Sequence, residues 1–211
     1  MAPDVHLEVL PPAQQALWEK LQQKASFFSS HDFYLAGGTA LALQLGHRQS
    51  VDFDFFSQQQ GIAEPTEKAV GRIGPFLLRD KDDHTLHIEI QGVYISFIGA
   101  YQYPALEPRI ESNGLQLASV TDIALMKLLA ITHRATIRDY IDLAAIFKTG
   151  VSLSSLLEKS PEKYGPQFNP MVALRTLVAF QDIDQEMPNM LDQELARSWQ
   201  EIIQATVRKL G

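Results

Sequence analysis

Two carboxylates two residues apart, Asp52 and Asp54, alternate with Val51, Phe53, Phe55 and Phe56. On a strand, residues i and i+2 share a face and lie about 6.6 Å apart along the chain. Bare carboxylates at that range repel by about 0.6 kcal/mol at the dielectric of water and about 2.5 kcal/mol at an effective constant of 20. A divalent cation reverses the sign of that cost, and paired metal ions serve phosphoryl chemistry by holding both the attacking and the leaving oxygen. The plain alternative is a solvated strand face. Upstream stands Gly37-Gly38-Thr39. Glycines let a backbone approach a ligand closely, and the N-terminus of a following helix offers N–H groups and a positive dipole end to a phosphate. A glycine pair between a strand and a helix can equally be a turn. Glycines, hydroxyl and paired acids within one window point to phosphates on one side and metal on the other.

A second constellation lies downstream. Ser119 to Thr132 reads SVTDIALMKLLAIT, in which Lys127 is the one polar residue between Ile123 and Ile131. A helix apolar all round is buried, so its lysine needs a partner or a ligand. The next helix carries RDYID, with Arg138, Asp139 and Asp142. Asp139 and Asp142 share a helix face, and Arg138 is spaced to pair with Asp142. One reading is a structural salt-bridge network of Lys127 with Asp139 or Asp142. Asp122 forms a weak capping box with Ser119 at the helix start.

The elements that must position these residues follow from periodicity. A helix is expected over Ala13–Ser29, a buried strand over Phe33–Ala36, a helix over Thr39–Leu45 stopped by Gly46, and a strand over Val51–Phe56. A helix over Glu64–Ile73 precedes strands at Phe76–Arg79, Thr85–Ile90 and Val93–Ile98, with turns at Asp80–Asp83 and Gln91-Gly92, and a short run at Leu115–Leu117. From Ser119 onward helices are expected at Val120–Thr132, Thr136–Lys148, Leu153–Glu158, Pro170–Phe180 and Leu191–Leu210. The expected class is α+β, with residues 1–118 as the mixed core and residues 119–211 as a helical region.

Composition bounds the rest. The 211 residues are 45% hydrophobic and 20% charged, as in ordinary globular proteins. No cysteine is present, which excludes disulfides and thiolate metal sites. The net charge of -7 argues against broad affinity for nucleic acid while allowing a local basic groove. No apolar run approaches the roughly 20 residues of a bilayer span, and the first residues lack the pattern of a signal peptide. A cytoplasmic protein without a membrane partner is expected.

The two constellations together resemble a known family. Gly-Gly, a short helix and Asp-x-Asp resemble the signature of the DNA polymerase beta-type nucleotidyltransferase fold, here with thirteen residues between Gly38 and Asp52. The fuller string GGTAL…HRQSVDFDFFS is similar to the AbiEii toxin family of bacterial nucleotidyltransferases, matching its basic-x-Ser-x-Asp-x-Asp element at Arg48, Ser50, Asp52 and Asp54. Asp122 with Lys127, then Arg138 with Asp139 and Asp142, resemble the later motifs. The resemblance runs from Tyr34 to Thr149.

It implies a mixed sheet flanked by helices, transfer of a nucleoside monophosphate from an NTP to a hydroxyl on RNA or protein, Mg²⁺ or Mn²⁺ held by Asp52 and Asp54, and a possible cognate antitoxin. Gly37, Gly38, Thr39, Arg48, Ser50 and Arg138 would bind phosphate. Lys127 would meet the nucleotide, and Asp139 or Asp142 would orient Lys127 or take the acceptor's proton. A third acid is expected on the strand Val93–Ile98, where Ser96 stands instead; Glu89 is the nearest substitute. The haloacid-dehalogenase reading of D-x-D fails on its flanks, since GHRQS precedes the motif and Phe55 follows it. His84 and His87 are expected on opposite faces. His133-Arg134 could reach a phosphate or simply be a solvated helix end, and the Tyr101/Tyr103 loop could stack a base or simply pack. A binding module that has lost catalysis is the rival reading.

Overall fold

The computed structural model describes residues 5–134, 136–181, 183–184 and 186–210. The outermost residues of the two expected regions, 1–4 and 211, lie outside that set. Among the described residues a seven-stranded mixed sheet runs in the order β3-β4-β5-β2-β1-β7-β6. Its strands are β1 (Tyr34–Ala36), β2 (Phe53–Phe56), β3 (Leu77–Lys81), β4 (Thr85–Ile90), β5 (Val93–Ile98), β6 (Ile110–Ser112) and β7 (Leu115–Leu117). β2 runs parallel to β5 and β1 parallel to β7, and the remaining pairs are antiparallel.

The apolar residues of β2 anchor it, as the alternation requires. Phe53 and Phe55 are buried, and Asp54 is half-buried. Trp18 of helix α1 (Pro12–Gln22) stacks on Phe53 at 5.8 Å between centroids. Phe28 of α2 (Ala25–Ser30) meets Phe55 at 4.7 Å, and Phe97 of β5 stacks on the same ring at 5.5 Å. Burying aromatic rings of this size contributes roughly 1.5–3 kcal/mol each. The single helix expected over Ala13–Ser29 is thus two, broken at Gln23–Lys24. Phe28 on the second of them packs onto the sheet against Phe55.

Other boundaries differ by a few residues. α4 (Ala63–Val70) and α8 (Pro170–Leu177) stop early, whereas α7 (Leu153–Tyr164) continues past Glu158 and through Pro161. The β6 strand and its hairpin with β7 were not expected. Asn113 and Gly114 both take positive φ, 47° and 85°, the backbone of a type I′ turn. Gln91 (52°) and Gly92 (81°) make the expected tight turn between β4 and β5 in the same way.

Helix α3 (Gly37–Leu45) begins directly where β1 ends and stops at Gly46, φ 66°. α5 (Val120–Ile131) and α6 (Ile137–Lys148) pack against α3, and α9 (Gln193–Arg208) packs on α6. One apolar core runs through sheet and helices. No single described helix is long and apolar enough to cross a membrane.

Candidate active site

A cleft of about 380 Å³ lies at the junction of the N-terminus of α3, the start of β2, and helices α5 and α6. Among the expected residues, Gly38, Thr39, Arg48, Ser50, Asp52, Asp54, Lys127, Arg138 and Asp139 line it.

The floor comes from β2. Asp54 sits opposite Ala36 of β1 and opposite Ser96 of β5, so the position where a third acid was expected is filled by a serine next to Asp54 in register. Asp52 immediately precedes the strand. Neither carboxylate accepts a hydrogen bond from any described residue. Burial raises the Asp52 carboxyl above its ordinary range and Asp54 raises it further, against the opposing charges of Arg138 and Arg48. Gly37, φ 69°, brings the start of α3 against Asp54: a Cβ there would lie 3.3 Å from Asp54 Oδ2. No side chain caps α3, which leaves its first N–H groups for a ligand. The Thr39 hydroxyl lies 2.7 Å from that of Ser50 and bonds the Asp52 carbonyl, pinning the acidic segment to the helix.

The cationic wall is organised by one carboxylate that the cleft does not reach. Asp142 is fully buried. It accepts hydrogen bonds from Arg48 Nε (2.7 Å) and Nη2 (2.9 Å), and from His47 Nε2 (2.8 Å), and it pairs with Lys127 Nζ at 2.7 Å. Burial pushes its carboxyl up, but Arg48 and Lys127 outweigh burial and hold it well below the usual range. Burial likewise would lower the Arg48 guanidinium, and Asp142 reverses that, raising it. Lys127 bridges Asp142 to Asp139, 2.7 Å from each, and Arg134 reaches Asp139 at 3.0 Å. The held arginine lies over the helix start: a Cβ on Gly38 would come within 2.5 Å of Arg48 Nη2.

Several expectations need correction. Arg138 does not pair with Asp142, because that carboxylate turns inward to Arg48 and Lys127; Arg138 is exposed on the cleft side and makes no ion pair among the described residues. Asp142, fully enclosed and held anionic, is not placed to take a proton from an acceptor. Asp122 does not enter the cleft. Its backbone N–H donates to Ser119 Oγ as the capping box required, at 2.9 Å, but its carboxylate is bound by Lys163 of α7 at 2.6 Å and by the N–H groups of Leu106 and Glu107, each at 3.0 Å. Burial would raise that carboxyl, and Lys163 with the two N–H groups outweighs it. Glu89, the suggested substitute acid, stands opposite Tyr94 of β5 rather than Ser96, and accepts a bond from Arg79 at 3.1 Å. His87, not Glu89, is the β4 residue opposite Ser96. Tyr101 and Tyr103 pack edge-on to one another, and Tyr103 packs on Tyr164 of α7, outside the cleft.

Some residues in or behind the cleft carried no sequence signal. His47 was read only as part of a flank. The segment Glu186–Asn189 forms a further wall. It is attached through an antiparallel bridge between Arg48 and Met190, and the Gln49 N–H donates to the Asn189 carbonyl at 2.8 Å. Its composition, EMPN, has neither helical nor strand period.

Known proteins resemble the chain in sequence and in fold. The chain is 34% identical over 201 residues to the uncharacterized protein aq_aa25 of Aquifex aeolicus, covering 91% of this chain and 93% of that one. The fold is similar to the crystal structure of JHP933 from Helicobacter pylori (TM-score 0.52, 19% identity, 93% of this chain and 94% of that one). A second H. pylori structure, of a candidate nucleotidyltransferase, matches as well (TM-score 0.52, 18% identity, 93% and 96% covered). At such identities the likeness is one of fold. The family model described as "Nucleotidyl transferase AbiEii toxin, Type IV TA system" matches residues 20–114 and 93–210, almost the whole chain. With the Gly-Gly-Thr helix start, the paired aspartates and the buried lysine all at one cleft, the chain belongs to the AbiEii nucleotidyltransferase family.

Proposed function

We propose that the protein transfers a nucleoside monophosphate from an NTP to a hydroxyl acceptor on RNA or protein, as the toxin of a system that includes a cognate antitoxin. The observation that carries this is the Asp52–Asp54 pair: two half-buried carboxylates without a hydrogen-bond donor, facing a helix start without a cap. Hard oxygen donors in that state fit Mg²⁺ or Mn²⁺. The two aspartates would hold the ion, which supplies charge neutralisation at the polyphosphate.

In this reading residues 1–118 supply the phosphate cradle, the paired acids and Arg48, and residues 119–211 supply Lys127, Arg138 and the carboxylates that hold the cations. The N–H groups at Gly37, Gly38 and Thr39 bind polyphosphate oxygens. Arg48 and Lys127, locked by Asp142, neutralise charge that builds on the leaving group, and Arg138 approaches from the open side. Fixed cations cost no reorganisation during the reaction. The acceptor oxygen bonds to the α-phosphorus. The bond from that phosphorus to the α,β-bridging oxygen breaks, and pyrophosphate departs with the electron pair. Asp139, at the cleft wall on Lys127, takes the hydroxyl proton.

The test is incubation of the purified chain with each labelled NTP, Mg²⁺ or Mn²⁺, and total RNA or protein. Labelled acceptor that disappears in Asp54→Ala supports the reading; failure of all four NTPs to label any acceptor overturns it. A second reading, a nucleotide-binding module without catalysis, is favoured by one observation, Ser96 beside Asp54. It requires NTP binding without transfer.

A further inference from the structure

The cleft has an end that phosphates and carboxylates do not explain. Val51 is 44% exposed and Met187 46% exposed, and both line the cleft beside Pro188. They come from distant parts of the chain. The bridge of Arg48 to Met190 and the bond from Gln49 N–H to the Asn189 carbonyl hold them on one wall. An apolar surface at one end of a polar cleft fits a flat apolar group on an otherwise anionic ligand. Methionine suits this because its unbranched, polarisable chain adapts to rings of different size.

Two side-chain amides border the wall. Asn189 Nδ2 donates to Gln49 Oε1 at 2.7 Å. The Gln49 NH₂ and the Asn189 Oδ1 have no hydrogen-bond partner among the described residues, so a donor and an acceptor stand side by side. Amide oxygen and nitrogen can exchange places by a flip of the pair, presenting the opposite order. A donor beside an acceptor is the pattern on the edge of a nucleobase. Gln49 is also the residue next to Arg48, whose guanidinium lies at the helix start, so one short segment runs from the phosphate end of the cleft to this wall.

We propose that the nucleobase of the substrate lies against Val51, Met187 and Pro188, and that Gln49 and Asn189 read its edge and set the preference among the four NTPs. This rests on the nucleotidyltransferase reading above.

The test compares binding of the four NTPs and of inorganic tripolyphosphate to the full chain by calorimetry, with Ca²⁺ to suppress turnover. The expected result is tighter binding of at least one NTP than of tripolyphosphate. Met187→Ala should weaken NTP binding about fivefold and leave tripolyphosphate affinity unchanged. Gln49→Ala and Asn189→Ala should alter the rank of the four NTPs. These side chains are exposed or half-exposed, so the variants fold. Equal affinity of wild type for NTPs and tripolyphosphate overturns the proposal, as does parallel loss of both ligands in Met187→Ala or an unchanged rank in both amide variants. If those results come with label transfer that Asp54→Ala abolishes, the base wall falls and the nucleotidyltransferase reading stands. If wild type binds no NTP, both fall.

Discussion

Asp142 grips Arg48 with both carboxylate oxygens across 94 residues of sequence, at 2.7 and 2.9 Å, inside a core that water does not reach. A planar fork on a carboxylate fixes orientation as well as distance. That fixes the guanidinium at the start of α3, where Gly38 leaves the room.

Removal of this carboxylate strands buried cations. Asp142→Ala leaves Arg48, Lys127 and His47 without their shared partner, and breaking a buried pair from one side costs about 3–5 kcal/mol. Urea denaturation should show that loss for Asp142→Ala, and transfer activity should be absent even where the variant remains folded. A loss below about 1 kcal/mol would mean that the hub is not an enclosed ion pair.

Gly38→Ala separates stability from activity. Gly38 has no positive φ, so alanine is acceptable to the backbone, but its Cβ would lie 2.5 Å from Arg48 Nη2. The arginine must yield while Asp142 holds its other atoms. Stability should change little, within about 1 kcal/mol, since part of the strain is offset by reduced freedom of the unfolded chain. Transfer should fall at least tenfold, with NTP affinity reduced. Wild-type rates in Gly38→Ala would detach Arg48 from the reaction.

The acids predict opposite pH trends. Asp142 and Asp122 titrate lower in the fold than in the unfolded chain. The stability they contribute is present above the ordinary carboxyl value of 3.8 and is lost as pH falls through their folded values. Asp52 has the other sign. Its folded carboxyl lies above 3.8, so the fold holds that proton more tightly than the unfolded chain, and stability declines as pH rises from 3.8 through the raised value. Asp52→Asn should therefore match wild type in acid and exceed it in stability at neutral pH without metal. Denaturation curves at stepped pH check this; equal curves throughout would remove the strain assigned to Asp52.

The Asp122–Lys163 pair should matter for folding and not for transfer. Both side chains are nearly inaccessible, and the pair ties α5 to α7 and to the loop at Leu106. Lys163→Met should lower stability by about 3–5 kcal/mol, with kcat per folded molecule preserved. A selective loss of kcat in a stably folded variant would return Asp122 to the reaction.

What could be read from the sequence was what is local. Asp52 and Asp54 reach one cleft from β2 and the residue just before it, and Gly37, Gly38 and Thr39 open a helix because the good helix formers of residues 40–45 follow them. Lys127 stood out because its own helix has no other charge. The partners were harder. Asp142 chose Arg48 over Arg138, although the latter is only four residues away, because burial favours the cation that the core can enclose over the one at the surface. The same burial drew Asp122 to Lys163, in a helix whose extent was underestimated by six residues between Glu158 and Tyr164. The wall at Glu186–Asn189 depends on one backbone bridge, for which residue pattern carries no sign. The β6–β7 hairpin was not expected, although Asn113-Gly114, a pair that favours positive φ, marks its turn.

The Arg48–Met190 bridge has a consequence for how the protein is made. The helix start and the paired aspartates are synthesised by residue 54, yet the carboxylate that orients Arg48 arrives at residue 142 and its bridge partner at residue 190. Contacts of such sequence separation form late, since loop closure must precede them. A ribosome-bound or prematurely terminated chain would carry the signature residues in an unassembled state. That timing ties assembly of the cleft to synthesis of the chain through residue 190.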